Sequence, residues 1–170
     1  MARDHSVDKG DKDAALKVAL KLLARRAYSE RRLSEKLRDK GFNETVIREV
    51  LAACRRKNFV NDRDFAKNFV ERRLETRPRA GHVLIGELLK QGISLRLARE
   101  VVEEHVTGEI ESQSAKVMAM KKWKQFSPLG ADVCFRRVSS YLARRGYNWD
   151  AISEAIKQAR TALQKSEKEE

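Results

Sequence analysis

Apolar positions along the chain recur with the 3.6-residue period of amphipathic helices, and the same pattern appears three times. Three glycines mark it. They read Leu37-Arg-Asp-Lys-Gly41-Phe42-Asn43, Leu88-Leu-Lys-Gln-Gly92-Ile93-Ser94 and Leu142-Ala-Arg-Arg-Gly146-Tyr147-Asn148, spaced 51 and then 54 residues apart. Each glycine fits the C′ position of a helix, where the backbone turns left-handed and a Cβ is a liability. Leu37, Leu88 and Leu142 then fall at C3, and Phe42, Ile93 and Tyr147 at C″, which is the apolar pair of a Schellman stop. Asn43, Ser94 and Asn148 cap the next helix. One helix therefore ends and another begins within three residues, in each repeat.

The likeness extends on both sides of the glycines. Downstream come Val46 and Ile47, Leu97 and Ala98, Ala151 and Ile152, and four residues later Val50 and Leu51, Val101 and Val102, Ala155 and Ile156. Upstream by eight stand Leu33, Leu84 and Val138. Ala14, Ala15, Val18, Ala19 and Leu23 align without a gap to Phe65, Ala66, Phe69, Val70 and Leu74; in the third repeat Val117, Met120 and Trp123 take that stripe, followed by a longer loop. The pattern predicts nine helices, near 13–26, 30–40, 44–57, 62–76, 81–91, 95–106, 112–125, 130–145 and 149–163. Asn61 is the expected cap of the fourth, with Asp62 and Asp64 in its first turn, where the helix dipole favours negative charge. Pro78 and Pro128 fall between the first and second helices of their repeats, where they interrupt no helix. The expected fold is all-α: three tandem three-helix repeats, 13–60, 61–106 and 107–163, forming an elongated, curved, right-angle-packed helical rod. Residues 1–12 and 164–170 are expected to be a flexible N-terminus and a frayed charged tail.

Composition agrees with a thin core. Of the 170 residues 36% are charged and 41% hydrophobic, and with 8 Gly and 2 Pro the chain lacks the turns of a β-sandwich. The net charge is +12, distributed unevenly: 13 basic and 5 acidic residues over 14–60 (+8), 9 and 8 over 61–106 (+1), 10 and 5 over 107–160 (+5). Such a balance points to a polyanionic partner. Some of the basic residues are expected simply to pair along helix faces with acids such as Glu35 and Asp39. No stretch is apolar enough to cross a membrane, the N-terminus lacks the apolar region of a secretory signal, and two lone thiols, Cys54 and Cys134, fit a reducing cytoplasm as buried small hydrophobes.

Catalytic chemistry is hard to place. His5, His82 and His105 have no metal spacing, Gly81 and Gly86 lack the Lys-Ser or Lys-Thr of a phosphate loop, and no Gly-x-Ser-x-Gly occurs. Glu87 is expected to pair with a neighbouring base. Trp123, Trp149, Tyr141 and Tyr147 are expected in the core, because aromatics supply much of the area a thin core needs. A helix-turn-helix reader is disfavoured by its would-be recognition helices: Glu100, Glu103 and Glu104 populate 95–106, and Asp150 and Glu154 open 149–163.

Asn61-Asp62-Arg63-Asp64-Phe65-Ala66-Lys67-Asn68-Phe69-Val70-Glu71-Arg72-Arg73 resembles the most recognisable segment of the bacterial RecX family. Glu87-Leu88-Leu89-Lys90-Gln91-Gly92-Ile93 is similar to its Glu-Leu-x-x-Lys-Gly-Ile, Arg145-Gly146-Tyr147 to its Arg-Gly-Tyr, and Ser29-Glu30-x-x-Leu33-x-x-Lys36-Leu37 to its first-repeat signature. The resemblance spans about 14–160. Gln91 departs from the usual Lys, and Arg77-Pro78-Arg79-Ala80-Gly81 departs from the family's Gly-rich stretch. The resemblance implies a protein without a catalytic site or cofactor. It implies binding to the RecA recombinase and to its filament on single-stranded DNA, limiting filament growth, ATP hydrolysis and strand exchange. The expected partner-binding residues are Arg72, Arg73, Arg77, Arg79, Lys90, Arg144 and Arg145, with an internal pair to Asp62 or Glu87 as the competing role for Arg73. A stand-alone basic DNA-binding module and a passive scaffold for a helical partner are the other readings.

Overall fold

The computed structural model describes residues 11–166. Among them are nine α-helices and no strand: α1 (Lys12–Leu23), α2 (Glu30–Asp39), α3 (Glu44–Arg56), α4 (Asp62–Thr76), α5 (Gly81–Lys90), α6 (Leu95–His105), α7 (Gly108–Phe126), α8 (Ala131–Ala143) and α9 (Trp149–Ser166), with a 3-10 turn, Ser127–Leu129, carrying Pro128 before α8. The expected loose ends fall largely outside the described residues; within them, Asp11 caps α1 by accepting from the Ala14 N–H at 2.9 Å.

All three Schellman stops form. Gly41, Gly92 and Gly146 have φ near +90° (+89°, +89° and +90°). The C″ amides of Phe42, Ile93 and Tyr147 donate to the carbonyls of Leu37, Leu88 and Leu142 at 3.3, 3.1 and 3.4 Å. The glycine amides donate to Arg38, Leu89 and Ala143 at 2.8, 2.9 and 2.9 Å. All six apolar partners are buried. Asn43, Ser94 and Asn148 then accept from Val46, Leu97 and Ala151, and Asn61 accepts from Arg63 and Asp64. A fourth stop ends α3: Asn58 takes φ +54°, and the Phe59 N–H reaches the Cys54 carbonyl at 2.9 Å. Asn tolerates that conformation because its short polar side chain bonds locally.

The chain divides into two compact units. One comprises the chain up to Asn68 together with Leu88–Ala98, the other Phe69–Glu87 together with the chain from Arg99 onward. In the first, α1, α2 and α3 enclose a core of Ala15, Ala19, Leu33, Leu37, Ile47, Val50 and Cys54. In the second, α7, α8 and α9 enclose Ala115, Ala119, Cys134, Val138, Leu142, Ile152 and Ile156, with Ala80 joining them.

Each compact unit contains a joint built to one plan. In the first, the buried Ser29 hydroxyl donates to the Gln91 carbonyl, the Arg32 guanidinium to the Lys90 carbonyl at 2.7 Å, and the Glu30 N–H to Asp62 Oδ1 at 2.8 Å. In the second, at corresponding positions, the Ala80 N–H donates to the Arg145 carbonyl at 3.0 Å and the Gly81 N–H to Glu111 Oε2 at 3.2 Å. The N-terminus of one repeat's second helix thus receives a carbonyl from the next repeat's glycine turn and a carboxylate from the first turn of its first helix. Those amides have no partner within their own helix, so the joint satisfies them.

Three expectations need correction. Trp149 is 61% exposed, because as the first residue of α9 it precedes the stripe of Ile152, Ala155, Ile156 and Ala159 that enters the core. Val117 is 54% exposed; Ala115, Met118 and Ala119 carry the buried face of α7, whose small residues leave a weak periodic signal. That helix also starts at Gly108 rather than 112, since Thr107 caps it by accepting from Ile110. Tyr147 is buried as expected, and Trp123 and Tyr141 pack partly buried against the same core.

Candidate partner-binding surface

The expected binding arginines gather around the α4–α5 connection. Arg72 and Arg73 occupy the last turns of α4, which Pro78 brings to its end. The connection is pinned by the Ala80–Arg145 backbone bond, which brings Arg77 and Arg79 to the turn that carries Arg144 and Arg145. Six of the seven residues therefore share the second compact unit. Lys90 belongs to the other; its side chain is exposed, and its carbonyl is taken by Arg32.

The six differ in what holds them. Arg73 Nε lies 2.8 Å from Glu87 Oε2 and Arg79 Nε 3.0 Å from Glu87 Oε1. Neither pair is aligned as a hydrogen bond: Arg79 Nε and Glu87 Oε2 have no hydrogen-bond partner. Glu87 is 18% exposed in its side chain, so this one carboxylate compensates two half-buried cations. Arg73 also sits over the Phe69 ring at 5.1 Å. Arg145 lies over the Tyr141 ring at 3.7 Å and donates to the Tyr141 carbonyl. Arg72, Arg77 and Arg144 are exposed and have no ion pair among the described residues. The internal pair weighed for Arg73 is formed, with Glu87 as its acid. The sequence named Glu87 as the partner of a neighbouring base and, with Asp62, as a partner for Arg73; its simultaneous approach to Arg79 depends on tertiary structure.

Elsewhere, charges pair along helix faces as expected: Arg31 and Arg32 hold Glu35 at 3.1 and 2.9 Å, and Lys36 reaches Asp39 at 3.4 Å. The guanidinium of Arg32, then that of Arg31, holds the Glu35 carboxyl below its ordinary range. Cys54 and Cys134 are buried, and burial pushes both thiols up. Burial, then the nearby Glu111 carboxylate, raises the Tyr147 phenol, whose hydroxyl has no hydrogen-bond partner. No group of three or more His, Cys, Asp or Glu among the described residues is placed to hold a metal ion, and no helix among them is long and apolar enough to cross a membrane.

Residues 15–54 match the family model described as RecX, first three-helix domain, and residues 109–156 that of RecX, third three-helix domain. A Regulatory protein RecX of Syntrophotalea carbinolica is 35% identical over 130 residues, covering 76% of this chain and 85% of that protein. The chain belongs to the RecX family. A second Regulatory protein RecX, from Chlorobaculum tepidum, is 29% identical, covering 89% of this chain and 91% of its own length. The crystal structure of RecX from Lactobacillus salivarius superposes with a TM-score of 0.76 at 19% identity, over 88% of this chain and 97% of that one, and so shares the fold. RecX membership and the three-helix family models agree with an all-α repeat fold read from three glycine turns, and with a regulatory role.

Proposed function

We propose that this RecX protein is a non-enzymatic regulator that binds the RecA recombinase and its filament on single-stranded DNA, limiting filament growth, ATP hydrolysis and strand exchange. The three-helix repeats 13–60, 61–106 and 107–163 are its units, and it acts in the cytoplasm on DNA repair and recombination. Its supports are the regulatory name carried by its relatives and the cluster of arginines that converges from α4, the α4–α5 connection and the α8–α9 turn. The observation that carries the reading is that Arg72, Arg77 and Arg144 in this cluster are exposed and without ion pairs among the described residues. Planar guanidinium groups in that state suit forked contacts to carboxylates of a protein surface or to phosphates.

The experiment is RecA ATP hydrolysis on single-stranded DNA with this protein titrated in. Inhibition by the wild type, and a weaker effect of the triple substitution Arg72→Ala, Arg77→Ala, Arg144→Ala, is the expected result. No effect of the wild-type protein on its cognate recombinase rejects the reading; equal inhibition by the triple variant moves the contact surface elsewhere.

A further inference from the structure

Trp149 and Phe135 form a surface pair outside the arginine cluster. Trp149 is 61% and Phe135 37% exposed, with ring centroids 6.1 Å apart and planes at 77°. Trp149 leaves most of its area in water, so burial does not account for its placement. Beside it, between α8 and α9, opens a cleft of about 240 Å³ lined by Phe135, Ser153, Ile156, Lys157, Arg160 and Thr161. Trp149, Ser153, Lys157 and Arg160 lie along one stripe of α9. Lys157 and Arg160 are exposed and make no ion pair among the described residues; Arg160 lies 5.5 Å from the centre of the Trp123 ring. Of the acids on α9, Glu154 is engaged by the Gln158 amide at 2.7 Å, and Asp150 stands in the first turn, where the helix dipole holds negative charge.

Two features of this surface together specify a ligand. A flat exposed indole offers a stacking face that is indifferent to base identity, and two cations without ion pairs among the described residues, about two and three turns along the same stripe, provide for phosphates. We propose that the α8–α9 face is a binding site for single-stranded nucleic acid, with a base stacked on Trp149 and backbone phosphates further along the strand on Lys157 and Arg160. A duplex does not fit this chemistry, because its bases are already stacked on one another. The proposal goes beyond the recombinase reading and does not depend on it: it concerns contact with the nucleic acid itself, with no recombinase present.

The test uses the full chain and a fluorescein-labelled 20-nucleotide oligo(dT), with anisotropy for affinity and tryptophan emission for stacking. Binding is expected to quench emission, and the quench to vanish in Trp149→Phe, which leaves Trp123 in place. Trp149→Ala is expected to weaken binding on the order of ten-fold, while Trp149→Phe keeps most of the affinity. Lys157→Gln is expected to lower the slope of log K against log salt by about 0.7. Oligo(rU) in place of oligo(dT) distinguishes the source: equal binding assigns the site to single strands in general, and preference for either names that one. Unchanged affinity in Trp149→Ala overturns the proposal. So does equal binding of a duplex of the same length, competition by inorganic polyphosphate as effective as that by oligonucleotide, or binding only to anionic lipid vesicles. Circular dichroism of each variant separates loss of the site from loss of fold. None of these outcomes alters the recombinase ATP hydrolysis result.

Discussion

The Glu30 N–H at the start of α2 is capped by the Asp62 carboxylate at the start of α4, 2.8 Å away and 32 residues along the chain. Asp62 meets two requirements at once: it complements the dipole of its own helix and satisfies an orphan amide of another. Asp62→Ala is expected to cost about 1–2 kcal/mol, and Asp62→Asn less, since the amide oxygen still accepts. Urea denaturation with an unchanged m-value checks both; a midpoint for Asp62→Ala equal to that of wild type contradicts the role.

Gly41, Gly92 and Gly146 share one backbone conformation but have different surroundings. A Cβ at Gly41 meets nothing within 4 Å, whereas one at Gly92 falls 2.6 Å from Arg31 Cβ, and one at Gly146 runs into Val83 and the His82 ring. Gly41→Ala is expected to cost only the left-handed penalty, about 1–2 kcal/mol. Gly92→Ala and Gly146→Ala are expected to cost more, because their turns seat against a neighbouring helix. Equal melting temperatures for the three variants would contradict the joints.

Much of this was legible in the sequence because it is local. A leucine, a glycine four residues later, then an apolar residue and an Asn or Ser define a stop and a start without reference to the rest of the chain. Leu37, Gly41, Phe42 and Asn43 behave as that pattern dictates, as do their counterparts. Asn58 repeats the stop, but with an Asn it lacks the glycine that draws notice. The Asp62 and Glu111 caps were hidden because each acid also looks sufficient as a first-turn residue of its own helix. Trp149 misled for another reason: hydrophobicity argues for burial, while its place before the first core residue of α9 decides exposure.

The arginine cluster separates into two classes on mutation. Arg72→Ala, Arg77→Ala and Arg144→Ala are expected to leave stability within about 0.5 kcal/mol of wild type. Arg73→Ala strips one of two cations from the half-buried Glu87 and is expected to cost about 1–2 kcal/mol. Glu87→Gln leaves both guanidinium groups without their counter-charge and is expected to cost at least as much. Thermal melts of the five variants check the division, and a neutral Arg73→Ala would show that the pair with Glu87 contributes nothing to the fold.

Tyr147 gives a pH dependence of known sign. Its phenol is held neutral in the fold well past the ordinary value of about 10. Above that pH the unfolded chain gives up a proton the folded chain retains, so the contribution to stability is whole below pH 10 and declines as pH rises beyond it. Tyr147→Phe removes a buried hydroxyl that has no partner. At pH 7 it is expected to be neutral or stabilising by up to about 1 kcal/mol, and to lose less stability than wild type between pH 9 and 11. Parallel urea titrations at the two pH values, with identical slopes for both proteins, would refute the assignment.

In three of the five polar contacts that seat one repeat on the last, the donor is a main-chain N–H, and three of the acceptors are main-chain carbonyls. Side-chain replacement cannot delete such a group unless it introduces proline. Ser29 in one joint and Ala80 in the other, or Asp62 and Glu111, show how freely the residues at these seams can differ while the seam keeps its geometry. An architecture anchored in the peptide backbone leaves its outward faces open to evolutionary drift, so that neighbouring repeats can acquire separate ligands without being refitted to each other.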